Sequence, residues 1–220
     1  MLKIVVYDSG YGGEYFADQL EKALPIVEII RVIDWRHADK ILSSPKQARN
    51  IARTTLRPYI GKVDLIIFAN HLLSATSAKF FQRKYKNQRF LALKPSQLRR
   101  FNSGETLILT TKAFARTINY YNYLFHLKGK SKTLVLDDWV DKIDNGELDR
   151  AEIRRTFTIF TEKENWHPKE IILTCTQFSD IKKEIRLAFG KHAKVYDSND
   201  DAIRNVCKIL RIRGALRKRK

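Results

Sequence analysis

Cys175 sits in Ile171-Ile-Leu-Thr-Cys-Thr-Gln-Phe178, where an apolar strand runs straight into a thiol flanked by two hydroxyls. The helical pattern from Asp180 to Ala188 follows, so the sulfur is expected at the carboxyl end of a strand and before a helix N-terminus. Free amides and partial positive charge at such an end favour a thiolate and also a bound carboxylate. A thiol held this way is a candidate acid/base beside an anionic carbon acid. Three further tips carry similar groups. Asp8 and Ser9 project at the end of the strand Leu2–Tyr7, ahead of the glycine-rich Gly10-Tyr-Gly-Gly13, whose spacing does not meet the dinucleotide-binding pattern. Asn70 and His71 follow the strand Val63–Phe68, and Thr111 follows Thr106–Leu109. An imidazole titrates near neutrality, so His71 is a candidate second base. Arg36 and His37 read as surface charge.

Strands recur between amphipathic segments and position these tips. Leu2–Tyr7, Val27–Ile33, Val63–Phe68 and Phe90–Leu93 alternate with helices at Glu14–Ala23, Pro45–Tyr59 and a third reaching Arg83. Ser44-Pro45 caps the second helix, with proline at its first position. The pattern then restarts with strands at Thr106–Leu109, Lys132–Leu136, Lys169–Leu173 and Lys194–Tyr196, and helices through Leu124, from Leu148 to Glu162 and from Asp200 to Arg213. Alternation at this interval predicts an α/β fold of two pseudo-symmetric lobes, each a parallel sheet wrapped by helices. Ligands of such sheets sit outside the strand carboxyl ends, here in a cleft between the lobes. The expected division is residues 1–95 with about 198–220 against 96–197. Cys207 falls on the apolar face of the last helix with Ile203, Val206 and Leu210, so it reads as packing.

With 220 residues and 44% apolar content the chain can bury a core. Two cysteines in different settings suggest neither a disulfide framework nor a metal site, which fits a reducing, cytoplasmic setting. The opening apolar run is too short for a signal peptide, and no segment approaches the roughly 18 apolar residues of a membrane span. A net charge of +18 makes nucleic acid a candidate partner. The excess is spread along the chain, over Arg49, Arg53, Arg57, Lys79, Arg83, Lys84, Lys86, Arg99, Arg100, Lys128, Lys130 and Lys132, and peaks in the tail Arg211 to Lys220, which is the candidate nucleic-acid contact. Elsewhere the charge reads as solvated surface.

The four tips together resemble one family. Asp8-Ser-Gly-Tyr-Gly-Gly13 is similar to the Asp-Ser-Gly-x-Gly-Gly opening of glutamate racemases, and Thr110-Thr-Lys-Ala-Phe-Ala-Arg-Thr117 to their Ala-Thr-x-x-Thr-Val-Arg-Ser segment. Ala69-Asn70-His71 stands where they carry Cys-Asn-Thr, Cys175-Thr176-Gln177 where they carry Cys-Thr-His, and Asp197-Ser198 resembles their late Asp-Ser. The resemblance implies the aspartate/glutamate racemase superfamily, a carboxylate or amino-acid substrate, no metal or organic cofactor, and paired subunits. In that family two cysteines address opposite faces of the substrate α-carbon. Here one survives as Cys175 and the other is Ala69, which cannot transfer a proton; losing an acid/base typically costs about 10²–10⁴ in rate.

Other positions also depart. Asp39-Lys40-Ile41 replaces a Pro-Tyr-Gly, Phe114 replaces the second threonine of a Thr-x-x-Thr pair, and Gln177 replaces a histidine. Asp144 falls near an acidic position of the family. The resulting expectation is a cofactor-independent proton-transfer enzyme, racemase-like, with Cys175, Asp8 and His71 catalytic and Ser9, Asn70, Thr111 and Thr176 holding substrate. Its rivals are a single-cysteine decarboxylase of the same superfamily and a degenerate homologue that binds a ligand or nucleic acid.

Overall fold

The computed structural model describes residues 1–94, 105–117, 120, 124, 127, 129–190 and 193–212. It divides into two compact units, one of Met1–Lys94 with the described residues from Ser198 onward, the other of the described residues between Pro95 and Asp197. Each is built on a four-stranded parallel sheet. In the first unit β1 (Leu2–Asp8), β2 (Val27–Ile33), β3 (Leu65–Phe68) and β4 (Phe90–Ala92) lie in the order β2-β1-β3-β4. In the second, β5 (Glu105–Thr110), β6 (Lys130–Val135), β7 (Glu170–Leu173) and β8 (Lys194–Asp197) lie in the order β6-β5-β7-β8. The two orders are the same permutation. In both, the chain leaves the first strand to one side and returns on the other, so each sheet has its switch point between its two central strands.

Residues Ile4 to Tyr7 of β1 are wholly buried, and their alternation sorts them between two cores. Ile4 and Val6 pack with Phe16, Ala17 and Leu20 of the helix Tyr11–Ala23 and with Ala202, Ile203, Val206 and Cys207 of the helix Ser198–Ile209. Val5 and Tyr7 face Ala48, Ala52 and Leu56 of the helix Pro45–Leu56, and Leu73, Ala78 and Phe81 from the helical run His71–Lys84. Cys207 is therefore a core side chain, and burial pushes its thiol up. In the second unit Leu107 to Leu109 and Ile171 to Leu173 are buried, and Phe157 of the helix Arg150–Glu164 meets Trp139 and Phe189 at ring separations of 5.5 and 4.6 Å. The edge strand β6 is guarded by Lys130 and Lys132, the latter paired with Glu164, as suits an edge that must not recruit another strand.

Several elements depart from the sequence reading. The first helix begins at Tyr11 rather than Glu14, with Gly10 as its N-cap, so Gly12 and Gly13 lie inside its first turn and are buried. The replaced Pro-Tyr-Gly segment forms a short helix, Ala38–Ser43, which follows the 3-10 turn Trp35–His37 and sends Ile41 into the core. A further short helix, Asp137–Asp144, and the end of the last helix at Ile209 were not read from periodicity. Short helices offer too few turns for a period to stand out. The expected helix toward Leu124 and the tail beyond Ile212 lie largely outside the described residues.

Gly13 shows why this turn needs glycine. A Cβ there would sit 2.4 Å from the Asp8 Cβ and 2.7 Å from the Ile33 Cδ1. Neither contact is sterically possible. Gly13→Ala is expected to lower stability by about 1–3 kcal/mol, the usual penalty of overpacking, read as a lower urea midpoint with an unchanged slope.

Candidate active site

The candidate residues of the first unit meet at the tips of β1 and β3, on either side of that sheet's switch point. Ala69 follows β3 and its amide donates to the Tyr7 carbonyl at 2.8 Å, which sets Asn70 beside Asp8. Asp8 is 1% exposed; its Oδ1 accepts from the Ser9 amide at 2.5 Å and from Asn70 Nδ2 at 3.0 Å. Asn70 is the N-cap of the next helix, its Oδ1 accepting from the Leu72 and Leu73 amides at 2.9 and 3.1 Å. Its oxygen is thus committed to the scaffold, which modifies the expectation that Asn70 only holds substrate. The helix it starts turns into a π segment, Ser74–Ala78, where the Ser74 hydroxyl donates to the Phe68 carbonyl at 2.8 Å and accepts from the Leu93 amide at 2.9 Å. Such bulges recur next to sites.

His71 lies at the first position of that helix and is 5% exposed. Burial lowers its pKa to about 3, so at neutral pH the ring is neutral and a feeble proton acceptor. That state does not favour the expected role of a replacement base, since a good base titrates near the working pH. Ala69 itself is completely buried in the core under the helices Tyr11–Ala23 and Ser198–Ile209.

In the second unit the equivalent tips are those of β5 and β7, and the Thr174 amide repeats the first unit's bond by donating to the Leu109 carbonyl at 3.0 Å. Cys175 follows at the carboxyl end of β7, 9% exposed, with Thr176 3% exposed. The α-helix expected from Asp180 begins at Lys182, after a 3-10 turn, Gln177–Ser179, which directly follows the thiol. That separation corrects the priming of Cys175 by a full helix N-terminus, because dipole effects fade within one turn. The thiol instead donates to Gln177 Oε1 at 3.0 Å, and the Thr176 hydroxyl donates to the same oxygen at 3.1 Å. The Gln177 side chain also hydrogen-bonds Asp144, at the end of the helix Asp137–Asp144. Burial raises the Asp144 carboxyl to about 6, with the Gln177 bond opposing the rise and Asp141 adding to it. Thr111 sits at the β5 tip as the N-cap of the short helix Lys112–Ala115 and accepts from the Phe114 amide at 3.5 Å. Phe114, in place of a threonine, packs edge-on against Tyr120 and brings no hydroxyl.

The chain Asp144–Gln177–Cys175 was not legible in advance. Asp144 was named, but the amide joining it to the sulfur comes from a neighbouring turn. Also missed was an aromatic pair at the first unit's tips: Tyr11 and Trp35, both about half exposed, stand 4.3 Å apart beside Ser9-Gly10. Asp34, which ends near them, accepts from His37 at 2.7 Å and from the Thr55 hydroxyl at 3.0 Å, so His37 is an anchor rather than simple surface charge.

Two parallel sheets of one permutation, with polar groups at the central strand tips, define an α/β class whose sites lie at strand carboxyl ends, and comparison with known proteins narrows that class. No family model matches the chain. A glutamate racemase of Sulfurovum sp. (strain NBC37-1) is 20% identical over 232 residues, covering 97% of this chain and 84% of the relative. Among solved structures, glutamate racemase from Campylobacter jejuni superposes with a TM-score of 0.77 at 21% identity, over 94% of this chain and 85% of that one. An aspartate racemase homologue from Pyrococcus horikoshii gives 0.63 at 18% identity, over 95% and 99%. The fold is that of the aspartate/glutamate racemase superfamily. Within it, the chain's sequence is similar to glutamate racemases along nearly its whole length.

The buried neutral imidazole has a thermodynamic signature. Between about pH 6.5 and 3 the unfolded chain takes up the His71 proton and the folded chain does not, so stability falls as pH falls through that window. Wild type should lose about 2 kcal/mol between pH 7 and pH 5 from this residue alone, and His71→Gln should abolish that part of the loss in urea titrations at the two pH values.

Proposed function

We propose that the protein is a racemase-like enzyme that moves a proton at the α-carbon of an acidic amino acid or a related small carboxylate, using Cys175 as its one thiol acid/base. The observation that carries this reading is the Cys175 thiol at the tip of a central strand, hydrogen-bonded to Gln177 and backed by Asp144. Support for the substrate class comes from the glutamate racemase relatives and from Asp8, whose caged carboxylate suits an ammonium group. Asn70 keeps a second Nδ2 hydrogen for a guest, and Ser9 and Thr111 supply hydroxyls for carboxylates, joined by Thr176 when its proton turns away from Gln177. Two non-disulfide thiols suit a reducing, cytoplasmic setting.

Proton transfer in this reading takes place on one face. The thiolate form of Cys175 removes the α-proton, charge flows into the adjacent carboxylate as an enediolate, and the thiol returns a proton to the same face. Ala69 carries no proton-transfer group and burial makes His71 a weak base, so neither is given a part in the transfer. A second reading, decarboxylation, is favoured by one observation: Cys175 is held as a hydrogen-bond donor to a carbonyl oxygen. In that case a carboxylate leaves as carbon dioxide, the electron pair it leaves behind takes the sulfur's proton, and solvent reprotonates the thiolate.

The test is incubation with each enantiomer of glutamate and of aspartate in heavy water, following the α-proton by NMR. Exchange with retained configuration is expected, with Cys175→Ser slower by about 10²–10⁴-fold. Inversion at a comparable rate would sink the one-face mechanism. Equal behaviour of wild type and Cys175→Ser would sink the role of the thiol on these substrates.

A further inference from the structure

Charge in the first unit is divided between the two faces of its sheet. From Lys40 to Lys94 the chain carries 12 Lys and Arg residues and one acid, Asp64, so this stretch holds +11 of the total +18. Asp64 is already engaged, accepting from the Lys3 amide at 2.8 Å. Both helical runs in the stretch, Pro45–Leu56 and His71–Lys84, pack on the Val5/Tyr7 face of the sheet and contain no acidic residue. The opposite face carries the helix Tyr11–Ala23, where Glu14, Asp18 and Glu21 converge on Arg31 at 2.7–2.8 Å. One layer is thus neutralised by its own ion pairs, whereas Arg53, Arg57 and Lys84 have no ion pair among the described residues.

These cations line a concavity. A groove of about 540 Å³ is bounded by Arg53, Thr54, Arg57, Ile60, Lys84 and Tyr85, all of them in the first unit. Arg49, Arg53 and Arg57 follow one another four residues apart, so they form a row along one helix side with a step of about 6 Å. Arg49 anchors the row by donating to the Thr76 carbonyl at 3.2 Å and by covering the Phe80 ring. Lys84 lies 5.5 Å from the centre of the Tyr85 ring at the groove wall. None of the large exposed apolar side chains falls between Lys46 and Lys94, so the surface has nothing to insert into a bilayer.

We propose that this groove is a binding site for single-stranded nucleic acid, read through its phosphates and without sequence preference. Guanidinium forks match phosphate oxygens, and a repeating row of cations follows a backbone. Tyr85, partly buried against Phe81 and Phe90, gives the basic channel an aromatic wall, the combination by which channels take unpaired strands. The site is separate from the strand-tip residues and does not depend on the activity proposed above. It also shares no residue with the tail Arg211–Lys220.

The experiment is fluorescence anisotropy of a labelled oligothymidylate with the full chain at about 50 and 200 mM salt. If only these three cations contact phosphates, affinity should fall about 20-fold across that range, and more if others join. Arg53→Ala/Arg57→Ala/Lys84→Ala should weaken binding at least as much at low salt and make the log–log salt slope shallower by about 2. A charge-matched control, Lys22→Ala/Lys163→Ala/Lys183→Ala, and a chain ending at Ile212 should keep most of the affinity, with circular dichroism confirming that every variant is folded. The proposal is overturned if the groove variant binds as wild type does, if tail removal alone abolishes binding, or if polyglutamate competes as well as the oligonucleotide at equal charge.

Discussion

The amide of Ala69 donates to the Tyr7 carbonyl, and 105 residues further along the amide of Thr174 donates to the Leu109 carbonyl. These two bonds close the central strand pair of each sheet just where regular pairing ends. A buried backbone group left unpaired costs about as much as a lost hydrogen bond, so each strand has little freedom to slide against its neighbour. Everything polar that follows is placed by that registration: Asn70 beside Asp8 in one unit, Cys175 at the tip beside β5 in the other. The parallel arrangement makes the placement productive, since both central strands end on the same side and the chain departs from them in opposite directions.

Around Asp8 the packing is steric as much as electrostatic. The helix Tyr11–Ala23 lies so close that only glycine fits at position 13, and the carboxylate is held from above by the Ser9 amide and from the side by Asn70. Asn70 does two jobs with one amide, capping a helix with its oxygen and gripping Asp8 with its nitrogen. The second unit solves the corresponding problem differently. Gln177 receives the thiol and a hydroxyl on its oxygen, and the same side chain opposes the rise by which burial takes the Asp144 carboxyl to about 6. Both units therefore use a primary amide as the piece that joins a carboxyl to the strand tip.

The missing thiol is understandable in the same terms. At position 69 the side chain is sealed in hydrocarbon beneath two helices, where a methyl group packs without cost and a thiolate would have to be desolvated. The neighbouring histidine is likewise dried out, and its basicity is suppressed by the same burial. On the far face of the same sheet the electrostatic character changes, because Glu14, Asp18 and Glu21 of helix Tyr11–Ala23 converge on Arg31 while helices Pro45–Leu56 and His71–Lys84 carry no acid.

Strand periodicity, the Asp-Ser-Gly-x-Gly-Gly turn, and the four polar tips could be read directly from the chain, because apolar alternation and turn chemistry are local properties. So could the inward packing of Cys207, which follows from helical spacing. Helix starts were less legible: the helix after Gly10 begins three residues early because tertiary closeness to Asp8 admits glycines into its first turn, against their intrinsic preference. The helix after Cys175 begins at Lys182, two residues later than read, and the 3-10 turn between them is one that no periodicity signals. What the chain determined by itself is the pattern of elements and the identity of the groups at their ends. Which of those groups touch, which is dried out, and which cations share one groove were decided by packing, since burial and contact between residues far apart in sequence exist only once the sheets are assembled.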